Sequence, residues 1–340
     1  MKYRALADTG VFVSELCLGT MTFGGGAQIW QTIGGLDQAA VDGIVHRSID
    51  AGINFIDTAN VYASGESETL LGKALAGKRQ GIVLATKVRG RMGPGANQVG
   101  LSRLHVMEAL EASLKRLGTD YVDLYQIHRF DPVTNIEDTL RALDDVVRAG
   151  KVRYIGCSNL AAWQLMKALG ISRAQNLERF RCTQSYYSLA GRELEREMIP
   201  LLKEEGLGLL VWSPLAGGFL SGKFTRTSGD DSARRAKFDF PPVDKEKGFR
   251  ILDVAAPIAA AHGVSIAQIA LAWILANDAV TSVIIGARKM TQLDDNLKAV
   301  DVTLSPEELA ALNDVSTLTV EYPTWMDVLG SDRRPGERRY

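Results

Sequence analysis

Several ingredients of common protein chemistries are missing or scarce. The 340 residues hold three cysteines, Cys17, Cys157 and Cys182, an odd number that cannot pair fully. Each lies in an apolar, strand-like run. They read as buried free thiols in a reducing compartment, so the cytoplasm is the expected location. The histidines, at 46, 105, 128 and 262, are too scattered to ligate a metal. No Ser or Cys stands near a His in a triad-like context, which leaves nucleophilic acyl transfer unsupported. A formal net charge of −1 gives no basic surplus for nucleic acid or an anionic membrane surface. The opening Met1-Lys-Tyr-Arg-Ala-Leu-Ala-Asp8 lacks a signal-peptide apolar core. The most apolar long stretch, 251–276, is broken by Asp253, Pro257, His262, Gly263 and Gln268, and reads as two packed helices rather than a membrane span. There is no G-x-G-x-x-G, and Gly19-Thr-Met-Thr-Phe-Gly24 after the first strand lacks that spacing.

What is present is regular alternation. A hairpin is expected over 3–13, with Asp8-Thr9-Gly10 as its turn. Eight short apolar strands then alternate with helices. The strands end at Gly19, Asp57, Lys87, His128, Ser158-Asn159, Gln184, Trp212-Ser213 and Gly286-Ala287-Arg288. The intervening stripes include Val41, Ile44, Val45 and Ser48; Met107, Leu110, Leu114 and Leu117, capped by Ser102; and Ile136, Leu140, Leu143 and Val147 behind a Thr134-x-x-Glu137 capping box. A helix is expected over 193–205, and Ser305-Pro-Glu-Glu308 opens another with Pro at its first position. Gly24-Gly25-Gly26 and Trp30 belong to a long loop. A second long loop, 215–247, lacks periodicity. Strands alternating with helices imply a parallel sheet, and eight units imply one closed α/β domain over 1–340, a (β/α)8 TIM barrel. The hairpin precedes it, and extra C-terminal helices and a tail, 319–340, follow, with Tyr322 and Trp325 placed to reach the barrel mouth. A doubly wound sheet is the alternative, and the missing Gly-rich fingerprint counts against it.

In such a barrel, chemistry gathers where strands end. Asp57, with Tyr62 just beyond it, Lys87 and His128 end three consecutive strands. Singly, each has an ordinary explanation: a turn carboxylate, a packing aromatic, a solvated lysine, a strand-end histidine. Jointly they supply a proton donor, a cation to lower its pKa, a carboxylate to pair that cation, and a group to orient an oxygen. Proton donation to an oxygen makes sense if a hydride arrives from elsewhere.

The chain resembles an aldo-keto reductase from end to end. The resemblance rests on Phe55-Ile-Asp-Thr-Ala59 with Tyr62, Leu84-Ala-Thr-Lys87, Asp123-Leu-Tyr-Gln-Ile-His128, Ile155-Gly-Cys-Ser-Asn159, Trp212-Ser-Pro-Leu-Ala216, and Ile285-Gly-Ala-Arg288 with Asn296. The segment Ser213-Pro-Leu-Ala-Gly-Gly-Phe-Leu-Ser-Gly-Lys223 is similar to the cofactor-covering loop of bacterial members related to potassium-channel β subunits. The resemblance implies NADPH-dependent reduction of an aldehyde or ketone, or the reverse, with Asp57, Tyr62, Lys87 and His128 as the catalytic tetrad. It implies that Gly19, Thr20, Met21 and Asp57 border the cofactor and that Ser158, Asn159 and Gln184 hold the nicotinamide carboxamide. Trp212 would stack on the ring, Ser213, Leu215 and Lys223 would meet the pyrophosphate, and Gly286, Arg288, Gln292, Asp295 and Asn296 would hold the adenosine half.

One departure matters. Many members open the adenosine segment with Lys-Ser, where this chain has Gly286-Ala287. A 2′-phosphate would then rest on Arg288, helped by Lys289 or Gln292, and NADP(H) is favoured over NAD(H). Gly217-x4-Gly222-Lys223 is nearly a phosphate-binding loop of ATPases, but Phe224 replaces the magnesium-binding Ser or Thr. A short-chain dehydrogenase would need Tyr-x-x-x-Lys, which is absent. A cofactor-binding regulatory subunit with slow turnover is the remaining alternative. Trp30, Arg89 and Arg129, with Tyr62 and His128, are the expected substrate contacts; Phe23, Phe130, Tyr187, Tyr322 and Trp325 are further candidates. The expected partner is a small carbonyl or alcohol, and a homo-oligomer stays open.

Overall fold

Residues of each barrel strand alternate between two apolar layers, and that alternation decides what reaches the centre of the molecule. A computed structural model of the chain describes residues 1–25, 29–226 and 234–326. Strands β1 (Tyr3–Ala5) and β2 (Phe12–Ser14) form an antiparallel hairpin. Strands β3 (Leu16–Gly19), β4 (Phe55–Asp57), β5 (Val83–Val88), β6 (Val122–Ile127), β7 (Val152–Ser158), β8 (Phe180–Tyr186), β9 (Gly208–Trp212) and β10 (Val280–Ile285) close into a parallel barrel, with β10 pairing both β3 and β9. The fold is therefore a (β/α)8 barrel with an N-terminal hairpin.

Helices α1 (Ile29–Ile33), α2 (Gln38–Asp50), α3 (Glu66–Ala74), α4 (Arg103–Leu117), α5 (Ile136–Arg148), α6 (Ala162–Gln175), α7 (Met198–Glu205), α8 (Arg234–Lys237), α9 (Lys245–His262), α10 (Ile266–Leu275), α11 (Met290–Leu297) and α12 (Pro306–Val315) surround it. Outward strand residues such as Leu16, Leu18, Ile56, Leu84 and Ile127 pack under these helices. Inward residues Cys17, Phe55, Ala85, Leu124, Cys182, Leu210 and Ile284 form a separate inner cluster, closed at the bottom by Leu6 and Val13 of the hairpin region. Arg4 ties that plug to the last barrel segment by donating to Leu275 O and Val280 O, each at 2.6 Å. Each fully buried Leu or Phe contributes about 1.5–3 kcal/mol, so these layers carry the bulk of the stabilisation.

Two residues above the inner cluster the same inward positions turn polar. Phe55 is followed by Asp57, Ala85 by Lys87, Leu124 by Gln126, Cys182 by Gln184 and Leu210 by Trp212. Period-two geometry thus aims this set at one place, the C-terminal mouth.

The structure corrects several details of the sequence reading. The expected helix over 193–205 is a 3₁₀ turn at Glu193–Glu195 and then α7. Pro200 cannot sit one turn beyond residue 196 in a continuous helix, because its ring meets the carbonyl four residues back. Thr134 does not cap α5. Its hydroxyl donates to Asp131 Oδ2 at 2.7 Å, and Asn135 is the cap. In α4 and α5 the buried face takes in Val106 and Val146, while Met107 and Val147 are only partly covered. Trp30 lies in α1 and not in a loop. The loop over 215–247 contains a 3₁₀ segment, Ala216–Ser221, and α8; α9 already starts at Lys245. Gly26 and residues 227–233 and 327–340 of the expected loops and tail lie outside the described residues. Among the described residues no single helix is long and apolar enough to cross a membrane; α9 and α10 are bent 97° at their junction.

Candidate active site

Asp57 leaves β4 almost fully buried, and both of its carboxylate oxygens are used. Oδ2 accepts from Lys87 Nζ at 2.5 Å. Oδ1 accepts from Gln126 Nε2 and Gln184 Nε2, both at 2.9 Å. Lys87, on β5, is 0% exposed and has two more acceptors, Thr58 O at 2.9 Å and Tyr62 Oη at 3.2 Å. A buried ammonium keeps its proton only if such partners offset its desolvation. Burial alone would depress Lys87, but Asp57 and Tyr62 outweigh it and its pKa lies above the usual value.

Tyr62 sits in a 3₁₀ turn whose Ala63 and Ser64 have φ of 46° and 56°. The phenol is nearly buried, with Trp30 on one side at 5.9 Å between ring centroids and His128 edge-on at 5.8 Å. The expected lowering of its pKa by Lys87 is not the net result. Burial raises the phenol, Lys87 pulls it down, Asp57 pushes it back up, and the balance is above the ordinary value. Burial is the largest of these effects, and the pull of Lys87 is partly cancelled by Asp57. Tyr62 therefore holds its proton. His128 is driven the other way. Burial, then Lys87, Arg129 and Arg89, lower it to about 3, so it is a neutral imidazole at physiological pH. Neither of its ring nitrogens is hydrogen-bonded among the described residues.

A second group of residues lines the β7–β10 arc. Ser158 Oγ donates to Gln184 O at 2.8 Å. Asn159, in the left-handed region at φ 56°, donates through Nδ2 to His128 O and Ser158 Oγ, and its Oδ1 accepts from Trp212 Nε1 at 3.0 Å. Trp212 lies parallel to Phe240, centroids 5.9 Å apart at 11°, and tilted against Tyr186. Beyond it, Ser213 Oγ accepts from Gly217 N at 2.9 Å. Gly217 has φ 67°, and a Cβ there would lie 2.4 Å from Phe240 O, so glycine is required. Leu215 is half-buried and Lys223 exposed.

On the β10–β3 side, Gly286 is exposed, and a Cβ added there would meet only Gly19 O, at 3.9 Å. Arg288 is exposed without an ion pair among the described residues, and its N–H donates to Gln292 Oε1 at 2.9 Å. Asn296 is buried. Asp295 is engaged elsewhere: its oxygens accept from Ser265 Oγ and Gln268 Nε2 at the start of α10. The Thr20 hydroxyl is likewise turned to Ser67 Oγ at 2.9 Å, beside a half-buried Met21. Substitution at Gly19 would drive a Cβ to 2.6 Å from Ile284 Cγ2.

Among the substrate candidates, Trp30, Arg89 and Arg129 lie at the mouth with Tyr62 and His128. Tyr187 does not. It is 1% exposed, donates to Glu195 Oε1 and packs on Trp273, because it is the outward neighbour of inward Tyr186. Phe23 is fully buried in the outer core, and Phe130 pairs with Trp163. Tyr322 and Trp325 are exposed and paired with each other. The sequence reading does not single out Gln126, although its place two residues before His128 puts it on the same inward face.

A nicotinamide dinucleotide fits these residues. The arc offers an exposed Asn159, a Gln184 Oε1 without a donor among the described residues, an aromatic plane at Trp212, open backbone at Gly286 and an unpaired guanidinium at Arg288.

The model of the aldo/keto reductase family matches residues 15–317. An uncharacterized oxidoreductase of Bacillus subtilis (strain 168), YrpG, is 39% identical over 93% of this chain and 96% of its own length. A probable voltage-gated potassium channel subunit beta of Oryza sativa subsp. japonica is 38% identical over 90% of this chain and 94% of its own. Versiconal hemiacetal acetate reductase of Aspergillus parasiticus is 36% identical over 92% and 96%. On this coverage the chain belongs to the aldo/keto reductase family, a family of oxidoreductases.

Proposed function

We propose that the protein reduces an aldehyde or ketone to an alcohol with NADPH, Tyr62 serving as the general acid, and catalyses the reverse step with Tyr62 as base. The observation that carries this reading is the buried chain Asp57–Lys87–Tyr62, with a neutral His128 beside the phenol. A bound reduced nicotinamide would supply the hydride that adds to the carbonyl carbon. Tyr62 donates its proton to the carbonyl oxygen. The phenolate left behind is 3.2 Å from the Lys87 ammonium, which stabilises the charge as it develops. Asp57, held by Gln126 and Gln184, keeps that ammonium charged and aimed. His128 donates a hydrogen bond to the same oxygen and orients it, a role that needs the neutral ring with one N–H. Trp30 shields the phenol from water.

Ser158, Asn159, Gln184 and Trp212 would hold the nicotinamide half, Ser213, Leu215 and Lys223 the pyrophosphate, and Gly286, Arg288, Gln292 and Asn296 the adenosine half. Three buried free thiols suit a reducing compartment such as the cytoplasm. The likeness to a channel β subunit favours one competing reading, a cofactor-binding subunit that turns over slowly.

The test is consumption of NADPH with a panel of aldehydes and ketones, in wild type and Tyr62→Phe. Steady turnover is expected, falling at least ~10²-fold in the variant, the scale of a lost general acid, with NADPH affinity little changed. Near-normal turnover in Tyr62→Phe removes the assignment. Single-turnover oxidation without steady state supports the competing reading.

A further inference from the structure

The rim of the barrel divides into two arcs. The residues proposed for the dinucleotide lie at the ends of β7 to β10 and β3. The remaining arc, at the ends of β5 and β6, carries two guanidinium groups that this arrangement leaves unused, Arg89 and Arg129. Arg89 follows Lys87 by two positions and Arg129 follows His128 by one. The strand ends are held side by side, since His128 N donates to Val88 O at 2.9 Å. Both residues thus leave adjacent strand ends close to Lys87 and His128, the Arg89 side chain half-buried and that of Arg129 exposed.

Neither side chain has an ion pair or a hydrogen bond among the described residues. Arg89 is half-buried, and its Nε is sealed from solvent with no acceptor. A buried charged donor without a partner is costly, and native structures retain few of them without a reason. The backbone at Arg89 is also strained, with φ 130° in a region that side-chain-bearing residues avoid. It is held there by Gly100 N, which donates to Arg89 O at 3.0 Å. The next residue, Leu101, donates to Asp131 Oδ2 at 2.8 Å.

Asp131 is the one carboxylate acting on Arg89, and its oxygens are occupied by Leu101 N, Val133 N and the Thr134 hydroxyl. It acts from beyond ion-pair distance. Arg129 acts on Arg89 as a like charge, and both depress His128. Two cations against one committed carboxylate leave this arc positive. Across the phenol, the Trp30 ring offers an apolar wall.

We propose that Arg89 and Arg129 recognise an acidic group on the substrate, so that the preferred carbonyl compound carries a carboxylate or phosphoryl group a few bonds from its aldehyde or ketone. A guanidinium pairs such an oxyanion with two parallel hydrogen bonds, and the terminal nitrogens of Arg89, which unlike its Nε are not sealed from solvent, are the ones a bound anion can reach. The proposal rests on the carbonyl-reductase reading and sharpens its substrate.

The experiment compares matched pairs with the full-length protein and NADPH: 4-carboxybenzaldehyde against methyl 4-formylbenzoate, and glyceraldehyde 3-phosphate against glyceraldehyde. The first pair reports a carboxylate, the second a phosphoryl group. The acidic member of at least one pair should have a kcat/KM about 10-fold or more above its neutral partner, mostly through KM, as one charge-assisted contact provides. That ratio should collapse toward one in Arg89→Gln, fall in Arg129→Gln and be partly kept in Arg89→Lys. Equal or better reduction of the neutral member in both pairs overturns the proposal, as does an Arg89→Gln variant that lowers both members equally. Should Arg89→Gln not fold, Arg129→Gln carries the same comparison. Turnover of the neutral aldehydes reports separately on the parent reading: no reduction of any of the four compounds overturns both, whereas equal reduction within pairs overturns only the acidic-group proposal.

Discussion

Lys87 Nζ lies 2.5 Å from Asp57 Oδ2, and both side chains are shut off from solvent. The raised Lys87 pKa means that the stabilisation from its charge is fully present below the unfolded value near 10.5 and is lost only as pH rises through the folded value. Asp57→Asn removes the group that offsets burial. It should cost about 3–5 kcal/mol at neutral pH, the usual result of stranding one member of a buried pair. Urea unfolding checks this; a loss below about 1 kcal/mol would mean the pair is screened like a surface one.

His128 gives the opposite pH signature. Its folded pKa of about 3 lies below the ordinary value of 6.5. Below 6.5 the unfolded chain takes up a proton that the folded chain refuses, so stability declines as pH falls from 6.5 toward 3. His128→Gln has nothing to titrate. Between about pH 7 and about pH 4.5 it should lose about 1–3 kcal/mol less stability than wild type. An NMR titration placing His128 near its ordinary value would contradict the assignment of a neutral ring.

Trp212 has Phe240 parallel to it and Asn159 on its indole N–H. A nicotinamide stacking there must use the face that Phe240 leaves. NADPH should therefore quench tryptophan fluorescence, and Trp212→Phe should lose much of the quench. An unchanged quench in that variant would place the ring against another tryptophan.

Arg288 is exposed at the β10 end with no competing carboxylate within ion-pair distance among the described residues. Removing a charge-assisted contact to a 2′-phosphate costs about 1.5–3 kcal/mol, roughly 10- to 150-fold in affinity. Arg288→Ala should weaken NADPH binding by that factor and leave NADH nearly unchanged. Equal losses would make Arg288 structural, and a wild type preferring NADH would remove the phosphate reading.

Much of the barrel is legible in the sequence because its signals are local. Apolar runs of period two, helix stripes and the Ser305 cap are written in adjacent residues, and the strand ends name Asp57, Lys87 and His128 directly. What escapes depends on distance or conformation. The net rise at Tyr62 needs burial and the Asp57 counter-charge together, and neither is visible in a string of neighbours. The left-handed strain at Arg89 belongs to φ and leaves no trace in residue type. Tyr187 reads as a pocket aromatic because Tyr186 and Tyr187 differ only in which way the pleat turns them. Extending the alternation back from His128 would find Gln126, and giving Pro200 its weight would find the break before α7.

Gln184 reaches Asp57 from β8, four strands around the barrel from β4. The N-terminal half of the chain alone contains Asp57, Tyr62, Lys87, Gln126 and His128, yet it cannot complete the cradle for the carboxylate. A ribosome-bound chain truncated before β8, or a split barrel missing that strand, would hold the whole tetrad with one donor to Asp57 Oδ1 absent. The amide bridge thus ties the second half of the barrel to the buried Asp57–Lys87 pair, whose full set of donors exists only once β8 has joined the ring.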